Sequence, residues 1–234
     1  MGENINSKTS SRNLVIGIDD SGRGPLIGSM FLAGVLLKSE DEKMLKSEGV
    51  NDSKQVAHPL RVKLAGLIKD TCIDYKVVSS TPEQIDHSIL SGINLNTLEA
   101  IKCADIINTL MLGRKEKIKV IVDCPSVNIK AWTATLLGYI KEQDKIELHC
   151  EHKADANHPS VSAASILAKV AREDSIEELK KKFGEFGSGY PSDPYTKEYL
   201  KTHGKKQENS GLFRKTWATW KELYPDAKQS TLNL

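Results

Sequence analysis

Two adjacent carboxylates, Asp19 and Asp20, follow the apolar, β-branched run Leu14 to Ile18 and are followed at once by the glycine-rich segment Gly22-Arg23-Gly24-Pro25. The run reads as a buried strand, and Gly22, Gly24 and Pro25 forbid its simple continuation, so the strand delivers charge into a tight turn with an exposed backbone. A second apolar run, Met30 to Leu37, begins just beyond Gly28, which sets the acidic pair between two strands of one core rather than in a solvated loop. Side chains alternate along a strand, so Asp19 and Asp20 point to different sides and serve one site only if the chain curls directly after them. Two further aspartates repeat the pattern: Asp123 closes the run Ile118 to Val122 ahead of Cys124-Pro125, and Asp155 follows the strand-like Lys145 to Cys150. In open α/β sheets the strand ends on one edge meet at the ligand crevice, so the four carboxylates are expected to share one cavity. Close carboxylates either take up a proton or bind cations, and an all-oxygen donor set suits Mg²⁺ or Mn²⁺. A pair of such ions clamps in-line displacement at phosphorus, which makes nuclease or phosphotransferase chemistry the leading class.

The elements that must position these groups alternate in type. Pro59 to Ile68 is an amphipathic helix with proline in its first turn, Cys72 to Val78 alternates like a strand, and Thr81-Pro82-Glu83 opens a short helix. Asn94 to Leu112 carries apolar residues at helical spacing, and Asn128 to Ile140 is helical. Pro159 to Phe183 is a long helix, small-faced at Ser162 to Ser165 and basic at Lys180 to Lys182, where the charge complements the negative helix pole. Short helices are expected at Tyr195 to Thr202 and Phe213 to Leu223. This order predicts an α/β fold, a mixed sheet flanked by helices with a small C-terminal helical extension. The expected divisions are a flexible tail at 1–12, a catalytic domain at 13–186, the extension at 187–225 and a second flexible tail at 226–234.

With 234 residues, 39% hydrophobic and 27% charged, the chain can bury a sizeable core, and a net charge of +2 requires any nucleic acid to be gripped by local basic groups. No apolar run approaches membrane-spanning length and the first residues lack a secretory pattern, so a cytoplasmic protein, a monomer, is expected. The cysteines at 72, 103, 124 and 150 form no Cys-x-x-Cys pair and read as reduced core thiols. His149 and His152 would face opposite sides of a strand, against a metal site there. Gly22-x-Gly24-x-x-x-Gly28 misses the dinucleotide-binding spacing, and no helical pattern follows it.

The chain resembles ribonuclease HII in its archaeal and eukaryotic branch. The resemblance rests on Gly17-Ile-Asp-Asp-Ser-Gly-Arg-Gly-Pro25, Asp52-Ser-Lys54, Val122-Asp123, Lys153-Ala-Asp155, the run Val161 to Val170 with Arg172, and Gly187-Ser-Gly-Tyr-Pro-Ser-Asp-Pro194. It implies a ribonuclease H-like fold, cleavage of RNA in RNA–DNA hybrid duplexes and at ribonucleotides embedded in duplex DNA, and metal ligation by Asp19, Asp20, Asp123 and Asp155, with two ions in the substrate complex. It also implies that the Gly22-Arg23-Gly24 turn reads the ribose 2′-hydroxyl and that Tyr190 meets the sugar at the RNA–DNA junction. Arg23 and Lys54 suit phosphate contacts; Lys169 and Arg172 are further substrate-binding candidates, whereas Glu173 and Asp174 read as solvated. The family pattern has Asp-Glu where this chain has Asp19-Asp20, which opens the alternative of a hybrid-binding protein with impaired catalysis. An aspartyl-phosphate phosphotransferase using Asp19 is disfavoured, because that chemistry needs no sugar-reading turn. The tail Gln229 to Leu234 resembles the start of a sliding-clamp binding motif but stops before that motif's aromatic pair.

Overall fold

A computed structural model describes residues 13–50 and 57–225. Lys54, the clamp-like tail from Gln229 to Leu234 and both expected flexible tails lie outside the described residues. Strands β1 (Leu14–Ser21), β2 (Met30–Lys38), β3 (Asp74–Ser80), β4 (Ile118–Asp123) and β5 (Ile146–Glu151) form one five-stranded mixed sheet in the order β3-β2-β1-β4-β5. β1, β2 and β3 pair antiparallel, while β4 runs parallel to β1 and β5 parallel to β4. The helices are α1 (Asp41–Ser47), α2 (His58–Thr71), α3 (Pro82–Leu90), α4 (Leu95–Leu110), α5 (Ile129–Leu137), α6 (Ala154–Asn157), α7 (Pro159–Phe183), α8 (Pro194–His203) and α9 (Ala218–Leu223).

Alternation along the strands builds two cores. Val15, Ala33, Val35, Leu37 and Ile121 point to one face and pack on α2 and α7 through Leu64, Ile68, Val161, Ala164 and Ala168. Ile16, Ile18, Leu32, Leu36, Val120 and Val122 point to the other and meet α4 and α5 through Cys103, Ile107, Trp132 and Leu136. The small face of α7 serves close approach: a β-carbon placed on Gly17 would lie 2.1 Å from the Ser160 carbonyl carbon. Across the sheet, one on Gly34 would lie 2.2 Å from Ile106 Cγ2. Two central strands therefore each carry a glycine where a helix presses on them.

A third core joins the C-terminal segment to the turn after β1. Leu26 and Ile27 pack with Ile176, Phe186, Tyr199, Phe213 and Trp220, and Ile27 pairs with Phe213 in a short antiparallel bridge. Asp86 of α3 fastens the same segment, accepting from the Lys215 amide (2.7 Å), the Thr216 amide (2.9 Å) and the Thr216 hydroxyl (2.6 Å).

β1 runs through both aspartates, Asp20 and Ser21 pairing with Leu32 and Phe31, and breaks at Gly22, at φ 85°, where the glycine-rich segment is expected to stop it. Other elements differ from the sequence expectation for local reasons. Asp155 does not end a strand: β5 stops at Glu151, Lys153 turns the chain at φ 57°, and Asp155 lies on the short helix α6. Phe213 is extended rather than helical, since it bridges Ile27: the Gly28 amide donates to the Leu212 carbonyl at 3.0 Å and the Arg214 amide to the Leu26 carbonyl at 2.9 Å. The charged stretch from Ser39 to Glu48 forms α1, held by one buried residue, Leu45. Among the described residues no helix is long and apolar enough to cross a membrane.

The contact at Gly17 has a measurable consequence. Gly17→Ala forces backbone apart at the β1–α7 crossing and is expected to cost about 3 kcal/mol, the upper end for an overpacked core. Urea unfolding checks it; a change below about 0.5 kcal/mol would show that α7 yields freely.

Candidate active site

The register of β1 on β4 decides where the charges meet. Pairing runs from Val15 opposite Lys119 to Ile18 opposite Val122, so one step further Asp19 and Asp123 stand side by side on the α7 face. Asp20 leaves the opposite face, toward α4. The three carboxylates line one small cleft with Glu99, Cys103 and Trp132, about 10 Å³ in free volume, on the order of a single water. A larger groove of about 750 Å³ lies between Asp86, Lys215, Trp220 and Tyr224. The smaller cleft is the one where the carboxylates singled out by the sequence act on one another, Asp20 and Asp123 both raising the pKa of Asp19. Asp155 sits beside it on α6, where the Ala154 amide donates to Asp123 Oδ1 at 3.1 Å.

Asp19 is buried, and its Oδ1 accepts from the Asp20 amide at 2.7 Å. Burial first, then the charge of Asp20 and more weakly that of Asp123, push its carboxyl up to about 8, against the lowering effect of a Ser165 hydrogen bond. Ser165 in turn accepts from Lys169 Nζ at 3.0 Å, so Lys169 connects to Asp19 along one face of α7. Burial pushes the Cys103 and Cys124 thiols up and Cys150 to about 11, so no thiolate competes as a ligand near neutral pH. His149 pairs with Glu147 on the edge strand and His152 Nδ1 meets the Cys124 carbonyl at 3.0 Å; neither joins the cleft. Among the described residues no three His, Cys, Asp or Glu side chains are drawn together closely enough to hold a metal ion as they stand.

The turn after β1 lies against the cleft and gathers the remaining candidates. Arg23 turns inward, forming an ion pair with Glu99 and donating to Asn96 Oδ1 at 2.6 Å, both on α4. The Tyr190 ring lies over Gly24, where an added β-carbon would be 3.6 Å from Cε1. Arg172 stacks on that ring at 5.2 Å from its centroid and donates to the Ser188 carbonyl at 3.1 Å. A β-carbon on Gly22 would strike Arg172 Cδ at 2.7 Å, so the glycine is required both by this contact and by its positive φ. Glu173, expected to be solvated, instead pairs with Arg61 and His58 of α2.

A family profile described as Ribonuclease HII matches residues 16–220. A Ribonuclease HII from Methanococcus maripaludis is 40% identical over 230 residues, covering 97% of this chain and 94% of its own. The chain belongs to the ribonuclease HII family. The crystal structure of a ribonuclease H2 from Pyrococcus horikoshii superposes with a TM-score of 0.80 at 39% identity, over 90% of this chain and 96% of that one. A ribonuclease HII from Archaeoglobus fulgidus, solved as a complex with PCNA, gives 0.76 at 37% identity, over 87% and 95%. As a ribonuclease HII the chain is a metal-dependent endoribonuclease of ribonuclease H type, acting on RNA–DNA hybrids, and its mixed sheet with flanking helices is the ribonuclease H-like fold.

Other residues that shape this ribonuclease HII site escaped the sequence reading. Glu99 is a buried carboxylate on the apolar stripe of α4, and its place beside Leu98 and Cys103 was the available signal. Ser165 was noticed only as a small residue. Arg214, wholly buried, holds the turn by its carbonyls, and nothing local announces that.

The raised Asp19 sets a pH dependence. An acid whose folded-state pKa, about 8, lies above its ordinary 3.8 binds its proton more tightly when folded, so stability falls as pH rises between those values and levels off above. Asp19→Asn has no such loss. Without divalent metal, the variant's melting temperature should gain on wild type progressively from about pH 4 to about pH 8; a difference constant across that range would contradict the burial and repulsion described.

Proposed function

We propose that the chain cuts the RNA strand of RNA–DNA hybrids, and duplex DNA on the 5′ side of an embedded ribonucleotide, by in-line attack of water, leaving 3′-hydroxyl and 5′-phosphate ends. One observation carries the reading: the carboxylates Asp19, Asp20 and Asp123 share a cleft directly beside a glycine turn capped by Tyr190. The all-oxygen donor set and the carboxyl of Asp19, raised by burial and by the charges of Asp20 and Asp123, fit a divalent cation, which would relieve that repulsion. Asp19, Asp20, Asp123 and Asp155 would hold Mg²⁺ or Mn²⁺, two ions in the substrate complex, and the ions would supply charge neutralisation at phosphorus and a more acidic water.

The chain's own groups do the rest. Gly22, Arg23 and Gly24 bring backbone against the ribose, where a 2′-hydroxyl is the one group separating RNA from DNA. Tyr190, already stacked on Arg172, presents its ring to the sugar. Lys54, Lys169 and Arg172 take the phosphate side, whereas the Arg23 side chain, expected there too, is turned inward onto Glu99 and Asn96. Residues 13–186 act as the catalytic unit and 187–225 as the extension, in a cytoplasmic monomer. Gln229 to Leu234 would dock on a sliding clamp, a reading supported by the Archaeoglobus fulgidus relative solved with PCNA.

Asp20 favours a second reading. It is one methylene shorter than glutamate, and a displacement of about 1 Å at a catalytic group can cost about a hundredfold in rate. A protein that holds hybrids without cutting them efficiently would result. Cleavage of a long hybrid in Mg²⁺ and in Mn²⁺ separates the two. We expect wild type to cut, Asp20→Glu to cut faster in Mg²⁺ by up to about a hundredfold, and Asp123→Asn to lose at least about a hundredfold while staying folded. Full activity in Asp123→Asn sinks the site; tight hybrid binding with no cleavage in either metal makes the second reading the better one.

A further inference from the structure

Arg214 is wholly buried, yet its hydrogen bonds run to main-chain carbonyls of one distant turn. Nη2 donates to the Gly22 carbonyl at 2.6 Å, Nη1 to that of Arg23 at 2.7 Å and Nε to that of Gly28 at 3.0 Å. Its own amide donates to the Leu26 carbonyl at 2.9 Å. Trp217 completes the set: its indole N–H donates to the Gly24 carbonyl at 3.1 Å, and its ring lies 4.9 Å from the guanidinium. Successive carbonyls of Gly22, Arg23 and Gly24 are thus gripped from behind by residues roughly 190 positions later in the chain.

A plug for this position could have been apolar, like its neighbours Phe213 and Trp220. Burying a guanidinium instead is costly unless its donors are all used, and a planar fork is the side chain able to take several carbonyls along a curved turn at once. Drawing those carbonyls to the protein side fixes the peptide planes, so the amides are the backbone groups left for a ligand oxygen on the Tyr190 side.

We propose that Arg214, with Trp217, is a positioning residue for ribose recognition: the C-terminal extension sets the peptide orientation of the Gly22-Arg23-Gly24 turn and thereby how well the site distinguishes a ribonucleotide. The inference rests on the hybrid-cleaving reading above. It predicts a loss in turnover and in sugar preference rather than in grip on the duplex, since phosphate contacts hold most of the affinity.

The test uses the full chain and two duplexes identical except for one 2′-hydroxyl. Arg214→Gln is expected to lower kcat about ten- to a hundredfold on the ribonucleotide duplex, with KM within about threefold, since small misplacement of reacting groups acts mainly on the chemical step. Fluorescence anisotropy without divalent metal should show the wild-type preference for the ribonucleotide duplex shrinking toward unity. Arg214→Lys, which keeps charge but not the fork, should recover part of both. Tyr199→Phe, which removes from the same extension a hydroxyl bonded to the Phe183 carbonyl and to Gln207 and not to the turn, should change neither. A folded Arg214→Gln with wild-type kcat and preference overturns the inference and leaves the cleavage reading intact; a wild type that cuts neither duplex overturns the reading beneath it. Should Arg214→Gln not fold, Trp217→Phe carries the same test, and an unchanged preference there is equally fatal.

Discussion

The parallel pairing of β1 with β4 is the constraint on which the rest of the molecule depends. In that register Asp19 and Asp123 stand side by side with Asp20 next along the chain, and the charge on Asp19 carries a penalty, first from burial, then from Asp20 and more weakly from Asp123. The fold does not relax it. Asp19 stays buried beneath α7 and answers by holding its proton up to about 8, while Ser165 and the Asp20 amide donate to it. The energy for keeping such a site comes from the apolar contacts around it, above all the close seating of α7 on β1 at Gly17. Under the proposed function a cation would be the partner of this arrangement, because it would turn the unfavourable charge density into the source of its affinity.

The second requirement is a rigid turn beside those charges. Glycine supplies the conformation at Gly22 and the clearance that Arg172 needs, but glycine alone leaves the backbone free to wander. Rigidity is imposed from two sides. Asn96 and Glu99 on α4 hold the Arg23 side chain, and Arg214 and Trp217 hold the carbonyls. Asp86 anchors the adjoining residues Lys215 and Thr216 to α3, so the C-terminal segment is built into the site and is more than an appendage to it.

What the sequence made legible follows from how local each signal is. The β-branched runs marked the strands, and Pro159 with Gly184 marked both ends of α7, because those choices are made within a few residues. Asp19, Asp20 and Asp123 could be grouped in advance, since strand ends on one edge of such a sheet converge. Asp155 needed a turn at Lys153 with positive φ, a conformation uncommon for a lysine, so its helix could not be read. The end of β1 was legible as the ends of α7 were: its glycines stop it, and the ladder to β2 closes at Ser21, one residue before Gly22. Glu99 and Arg214 were not singled out, because in each case the partner is more than 70 positions away.

The central claim is that this cleft acts on the phosphate beside a ribose because the neighbouring turn senses its 2′-hydroxyl. The most direct measurement maps the cut at nucleotide resolution on a DNA duplex carrying one ribonucleotide, with chemical identification of both new ends. The account predicts a single cut on the 5′ side of the ribonucleotide, ending in a 3′-hydroxyl and a 5′-phosphate. Cutting on its 3′ side to leave a cyclic phosphate would show the 2′-hydroxyl acting as nucleophile, and would contradict the account.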